Sequence, residues 1–543
     1  MKKRHLIPLL LVVGSLSVSG CSFFNIISID SSIPEPSSES HTSSHGGTES
    51  TSTDPTSEPA YTKKQVTYTM KDLANRSIYN FSVTPSVGNP KILVVPIWFS
   101  NSSDFVSAQE KNEILLKLNK AIFGTSEDTG WHSVSSYYLE ESYGLCNISG
   151  SVADWYTTNR SYSQINSTSL TIDVVNYAVS NWKSSHSSEV KNYDSDGDGY
   201  LDGVIAIYAG PNSTNYTGSN KNENMWAYTS WTDNARNTND PTVKNFIWAS
   251  YDFMDQYKST GVLIDTHTYI HETGHLLGID DYYDYNRSNL RYDALWAGGF
   301  SMQDYNVGGH DPYSKLVYGW VEPYVPTKTC TITIRPFEST GDVVLLSPNF
   351  TGSPFDEYLL FELYTPTGVN QLDATHVYNG TYSHLVNGYG IRLWHVDSRL
   401  LQITNSSTRS DGTYYPNNYT ITTEIESGKR YSVGPTNTTY VSPASSYNGY
   451  ASKASELRSY KLLDLIRRND TSGFSRGEFL DTRHLFRTGD SFNINRYSDY
   501  FINSTGSLIY SKNLFNNGEA LNWSVSFDEV TLTSATITFT YNG

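Results

Sequence analysis

The chain has 543 residues, enough for two or three domains with cores of their own. Charged residues are 17% and aromatics 14% of it, with 42 tyrosines, a composition that excludes a wholly disordered chain. A formal charge of −17, with no basic block, excludes nucleic acid or an anionic membrane surface as the main partner and suits carboxylate-built Ca2+ sites.

The first segment, "MKKRH" followed by "LIPLLLVV", is a basic stretch and an apolar run too short to span a bilayer. "SVSGC" then sets Cys21 after small residues, the pattern of a bacterial lipoprotein signal over 1–20 with Cys21 as the lipidated first residue. The alternative is an ordinary secretory signal. Either reading takes the protein out of the cytoplasm, with the lipid-anchored form on the outer face of the cell membrane. Residues 21–62 are rich in Ser, Thr, Pro and Glu and poor in core formers, so they are expected to be a flexible tether. Of the other cysteines, Cys146 and Cys330, the spacing decides neither pairing nor freedom.

From residue 63 the pattern becomes globular. "KILVVPIWFS" predicts a buried strand, and "SAQEKNEILLKLNKAIFG" a helix with Ile114, Leu115, Leu118, Ala121 and Ile122 on one face, ending at Gly124. "SVSSYYLEES" predicts another helix, "LCNISGSVADWY" a strand, and "DGVIAIYAG" a central strand. Helices and strands alternate to about residue 325. Beyond it "CTITIRPF", "DVVLLSP", "DEYLLFELY", "GYGIRLWHVD" and "WSVSFDEVTLTSATITFTYN" predict strands, and the alternation Thr331, Ile332, Thr333, Ile334 marks a half-buried one. The expected fold is therefore an α/β (α+β) domain over 63–325, then an antiparallel, β-sandwich-like region over 326–543.

Within "THTYIHETGHLLGIDD", His267, His271 and His275 stand four apart on one stripe of a helix. At a rise of 1.5 Å per residue the outer two are roughly 12 Å apart along the axis and cannot easily share one ion. Glutamate follows His271 (Glu272), whereas threonine follows His267, and a zinc peptidase needs a carboxylate beside the metal as proton acceptor. His271 and His275 are thus the expected pair. Gly278 can reverse the chain, and Asp281 three residues on supplies a third ligand, completing HExxHxxGxxD. Three protein ligands leave the open position of a catalytic zinc. His267, one turn earlier, is expected to be structural or to support the site from outside.

This string is the compact zinc signature of the metzincins, with aspartate for the third histidine. Met302, in "GGFSMQDYN", then stands where a methionine turn would lie beneath the zinc. With "SYYLEESYG", "DSDGDGYLDGVIAIYAG", "SKLVYGW", "DEYLLFELY" and "GIRLWHVD", the chain resembles the immune-inhibitor-A-type secreted metalloproteases of bacteria over most of 90–400. The resemblance implies a zincin-like catalytic domain, a β-rich region after it, His271, His275 and Asp281 as zinc ligands, and Glu272 as general base. Thr273 and Asp280 depart from the family pattern, at positions that are not ligands.

"DSDGDGYLD" puts Asp194, Asp196, Asp198 and Asp202 at positions 1, 3, 5 and 9 of a calcium loop, with Tyr200 offering a carbonyl at position 7. Position 12 is Ile205, so the loop is not a complete EF-hand, and a structural Ca2+ is expected. His395 reads as a structural histidine, nothing in the spacing of His310 demands a role, and Tyr305, three residues after Met302, is open to either oxyanion stabilisation or simple packing. The expected activity is zinc-dependent hydrolysis of peptide bonds in protein or peptide substrates by a monomer. The alternatives are a surface adhesin with a vestigial protease domain and hydrolysis of a non-peptide bond.

Overall fold

Branched and aromatic residues in a run buried on both sides favour a parallel strand sheathed by helices, and Lys91–Trp98 is such a strand. In the computed structural model it runs parallel to Ser149–Val152 on one side and to Gly203–Tyr208 on the other. Asn245–Ser250 adds a further parallel strand, and Tyr228–Trp231 closes that edge antiparallel to it. Tyr156–Thr157 also pairs with Lys91–Trp98. The described residues are 59–75, 82–218, 222–256, 261–283, 295–378, 386–408, 414–422, 430–431, 440–443, 461–472, 474–501 and 513–543. The expected signal, Cys21 and the tether as far as residue 58 lie outside them.

Alternation along these strands separates two apolar layers. Ile92, Val94, Ile205, Ile207 and Ile247 join the core under Ala108–Phe123, Val134–Glu141 and His267–Leu276. Leu93, Val95, Val204, Ala206, Phe246 and Trp248 face Val174, Val175, Ala178 and Trp182 of the helix Thr168–Ser185. Ala108–Phe123 starts on a capping box of Ser107 and Glu110, and buries Ile114, Leu118, Ala121 and Ile122. The helix predicted from "SVSSYYLEES" is Val134–Glu141, capped by Ser133.

The later strands form three sheets. Tyr61–Lys63, Tyr324–Pro326, Val343–Leu346, Glu357–Tyr364, Gly390–Asp397 and Leu463–Ile466 make a six-stranded one. Ser491–Asn493, Trp523–Val530, Ala535–Tyr541 and Cys330–Ile334 make an antiparallel four-stranded one. Leu400–Thr408, Tyr414–Thr422, Arg430–Tyr431 and Tyr440–Pro443 make the third. The first two share a layer that includes Ile332, Ile334, Phe361, Leu393, Phe527, Ile537 and Phe539. The other face of the six-stranded sheet, with Leu345, Leu360, Trp394 and Leu463, belongs to the same apolar cluster as the helix His267–Leu276. The fold is thus mixed α/β with several sheets. Its largest core crosses Pro326, and Tyr61–Lys63 pairs with the strand that ends there.

Burial sets the expected cost of truncation. Ile205→Ala, in the middle of the central strand and fully buried, will lower the unfolding free energy by about 3 kcal/mol. Leu116→Ala, at a side chain 70% exposed, will change it by less than about 0.5 kcal/mol. Urea unfolding followed by tryptophan fluorescence separates the two.

Candidate metal centre

The helix His267–Leu276 opens without a side-chain bond from its N-cap residue Thr266. The carboxylate of Asp265 instead accepts the His267 backbone N–H at 3.0 Å, an anion where the helix dipole favours one. Nearly every residue of this helix is buried, His275 being partly exposed.

Two backbone carbonyls determine the tautomers of His271 and His275. His271 Nδ1 lies 2.7 Å from Met302 O, and His275 Nδ1 lies 2.8 Å from Ile279 O. A carbonyl oxygen only accepts, so each Nδ1 carries the proton and each Nε2 presents a lone pair. Those nitrogens converge to 3.2 Å, with Asp281 Oδ1 at 2.9 Å from His271 Nε2 and 3.4 Å from His275 Nε2. Two lone pairs and a carboxylate oxygen so close repel one another unless a cation or a proton lies between them. The donor set of two imidazole nitrogens and one carboxylate oxygen, all within 4.8 Å, therefore fits a metal ion.

Electrostatics point the same way. Burial alone would push the Asp281 carboxyl up, yet the charges and hydrogen bonds of His275 and His271 hold it well below the usual carboxylate range. Burial alone would pull the His275 imidazole down, and Asp281 instead raises it to about 10. A proton and a metal ion would compete for this one lone pair.

Gly278 makes the reversal that brings Asp281 back. Its φ is +107°, and a Cβ there would meet Val83 Cγ1 at 3.0 Å and Met70 Cβ at 3.3 Å. Both the backbone angle and the packed segment above therefore require glycine. Met302 is buried and follows Ser301 into a short helix, Met302–Tyr305. Its contribution to His271 is its backbone carbonyl.

Glu272 is buried beside the donor set, and burial pushes its carboxyl up against the lowering charges of His275 and His271. Its Oε2 accepts the hydroxyl of Thr229 at 3.1 Å. No motif in "YTSW" announces that threonine; the pairing of the edge strand puts it there.

His267 has no place among the donors. Its Nδ1 lies 2.8 Å from Asp265 Oδ1 and its Nε2 3.2 Å from Asp373 Oδ1. The ring is stacked between Trp131, at 4.1 Å, and Tyr378, at 4.3 Å. Asp373 Oδ2 also accepts the Gly308 N–H at 2.7 Å, tying this histidine to the loop after Met302. Sequence spacing isolates His267 from the pair but does not reveal Asp373, 106 residues away.

In the acidic loop, Asp194, Asp196 and Asp198 come together and Asp202 does not. Asp202 is turned to its own neighbours, accepting from Ser195 N, Ser195 Oγ and Lys91 N. The Tyr200 side chain also turns away, its hydroxyl donating to Asn234 O. Lys71 Nζ stands 2.6 Å from Asp196 Oδ2 and 3.0 Å from Asp198 Oδ2, so an ammonium already offsets part of the repulsion.

His395 Nε2 meets Glu357 Oε1 at 2.8 Å in the interior. His310 lies among the rings of Tyr137, Tyr138, Tyr318 and Trp320, where burial and then the charge of Lys315 push its pKa well below the ordinary value. Tyr305 packs on Tyr283 and Phe479. Cys146 and Cys330 are both free thiols.

No family model matches the chain, and no curated protein does. Solved structures similar to it include metalloproteinase-II from Bacteroides fragilis, at 11% identity and a TM-score of 0.20, over 44% of this chain and 54% of that one. The matched part thus spans about half the length of that structure.

The buried His267 sets a pH dependence. Burial would lower its pKa, but Asp373 and Asp265 raise it to about 9. A histidine pKa raised on folding stabilises fully below about 6.5, the unfolded value, and that contribution is lost as pH rises through about 9. The loss is expected to total about 3 kcal/mol. His267→Gln will be less stable at pH 6 and will flatten this decline, as unfolding free energies measured from pH 6 to 10 will show.

Proposed function

We propose that this chain is a zinc endopeptidase, with His271, His275 and Asp281 as the protein ligands and Glu272 as the general base. The observation that carries this reading is the convergence of two Nε2 lone pairs and a carboxylate oxygen beside a buried glutamate. The resemblance of the motif string HExxHxxGxxD to the metzincin signature supports zinc and peptide hydrolysis over other metals and bonds.

Zinc bound there supplies Lewis acidity toward the scissile carbonyl and the attacking water. Glu272 takes the water's proton on its carboxylate and hands it to the nitrogen of the departing amine. Thr229 donates to Oε2 of that carboxylate, and we assign the transfer to Oε1. Met302 O and Ile279 O keep both imidazoles in the tautomer whose Nε2 is a ligand. Anionic Asp281 leaves less net positive charge at the centre than a third histidine would.

The substrates we assign are proteins or peptides. Lipidation at Cys21 would hold the enzyme on the outer membrane face of a bacterial cell, with residues 21–62 as tether. The region after 326 we read as β-sandwich-like, and the chain as a monomer. Among the described residues no helix is long and apolar enough to cross a membrane.

Glu272→Gln is expected to keep its zinc and to cleave unfolded casein about 1,000-fold more slowly. His275→Ala is expected to lose the zinc as well. A zinc-loaded parent protein that cleaves no polypeptide would overturn the peptidase reading, as would full activity of Glu272→Gln for the base.

For the acidic loop we propose a structural Ca2+ held by Asp194, Asp196 and Asp198 with the carbonyl of Tyr200, taking over from Lys71 as counter-charge. Millimolar Ca2+ is then expected to raise the melting temperature by a few degrees. Asp196→Asn will abolish that rise, and Lys71→Met will make it occur at lower Ca2+ concentrations, both measured by differential scanning calorimetry.

A further inference from the structure

Thr229 is the second residue of the edge strand Tyr228–Trp231 and is half-buried. Its partner in the ladder is Ile247, whose side chain belongs to the core beneath the histidine helix. The strand's alternation sends Tyr228 to the opposite face, where its hydroxyl donates to Thr171 Oγ1 at 2.9 Å. Strand pairing therefore aims Thr229 at the helix, and its branched Cβ restricts the direction of the hydroxyl.

That hydroxyl lies 3.0 Å from the backbone O of Glu272 and 3.1 Å from its Oε2. Both oxygens accept, so the single hydroxyl proton is shared between the two ends of one residue. Satisfying a helix carbonyl would explain the first contact. The second contact reaches the carboxylate itself and needs another reason.

We propose that Thr229 is a positioning residue for Glu272: bridging its backbone and its carboxylate, the hydroxyl turns Oε1 toward the reacting water and holds it there. The inference rests on the reading of Glu272 as the general base. Hydrogen bonds to a charged group are strong enough to select one rotamer over another, and a base displaced by even an ångström transfers protons poorly. Valine reproduces the shape of threonine without the hydroxyl, and serine keeps the hydroxyl without the methyl.

The test is steady-state cleavage of a casein-derived fluorogenic peptide by the full chain, with zinc content measured for every variant. Thr229→Val is expected to lower kcat roughly 10- to 100-fold, with KM within about twofold and zinc unchanged. Thr229→Ser is expected to recover to within about threefold of the parent. In a Glu272→Gln background, Thr229→Val is expected to cost nothing further, because its effect passes through that carboxylate. Parental kcat in Thr229→Val, failure of serine to rescue, or a full additional loss in the Glu272→Gln background would each overturn the proposal. If the zinc-loaded parent cleaves nothing, it is the peptidase reading that fails. Crystal structures of the parent and Thr229→Val then decide the positioning: a turned Glu272 carboxylate supports it, and an unmoved one overturns it.

Discussion

Two hydrogen bonds from imidazole to main chain, His271 to Met302 O and His275 to Ile279 O, are what the centre depends on. Each holds the proton on Nδ1, so that Nε2 presents a lone pair and the ring is held in place. The acceptors are themselves held. Ile279 follows the reversal at Gly278, which is seated on Val83 and Met70. Met302 begins a loop whose later residues are gripped by three side chains: Asp373 and Asn370 accept Gly308 N–H and Gly309 N–H, and Glu141 accepts His310 N–H. Glu141 is buried with Lys315 at 3.2 Å as its counter-ion. Removing one partner would leave the other charge buried and uncompensated.

The parallel sheet supplies the other half of the arrangement. Helices cover both its faces, so the histidine helix lies flat on a layer of Ile92, Val94, Ile205 and Ile247. The antiparallel edge strand brings a hydroxyl to the glutamate on the same face. Residues after Pro326 close the opposite side, where Leu345, Leu360 and Trp394 reach the shared core and Asp373 reaches His267.

How much of this could be read in the residues follows from the range of the interactions. Local periodicity is enough for the strands Lys91–Trp98 and Gly203–Tyr208 and for the helices begun by Ser107 and Ser133, because each signal lies within one element. Glu272, Gly278 and the grouped donors His271, His275 and Asp281 also fall within eleven residues of one another. The rest is non-local. Thr229 meets Glu272 across 43 positions, and Asp373 meets His267 across 106, with no spacing rule to connect them. Asp202 shows the opposite limit: its position in a nine-residue pattern marks it as a ligand, but backbone amides of Lys91 and Ser195 claim its carboxylate. Met302 is legible as a position, whereas its function resides in a carbonyl that any residue could offer.

The long reach of Asp373 bears on the order of assembly. As the chain is made from its N-terminus, the histidine segment is synthesised well before Asp373, its partner 106 positions further on, has been added. Until then His267 has half its counter-charge, and the loop carrying Gly308 lacks one of its anchors. The centre is thus completed only by contacts between residues well separated along the chain. The same topology leaves the centre without its full set of contacts until Asn370 and Asp373 have been added to the chain.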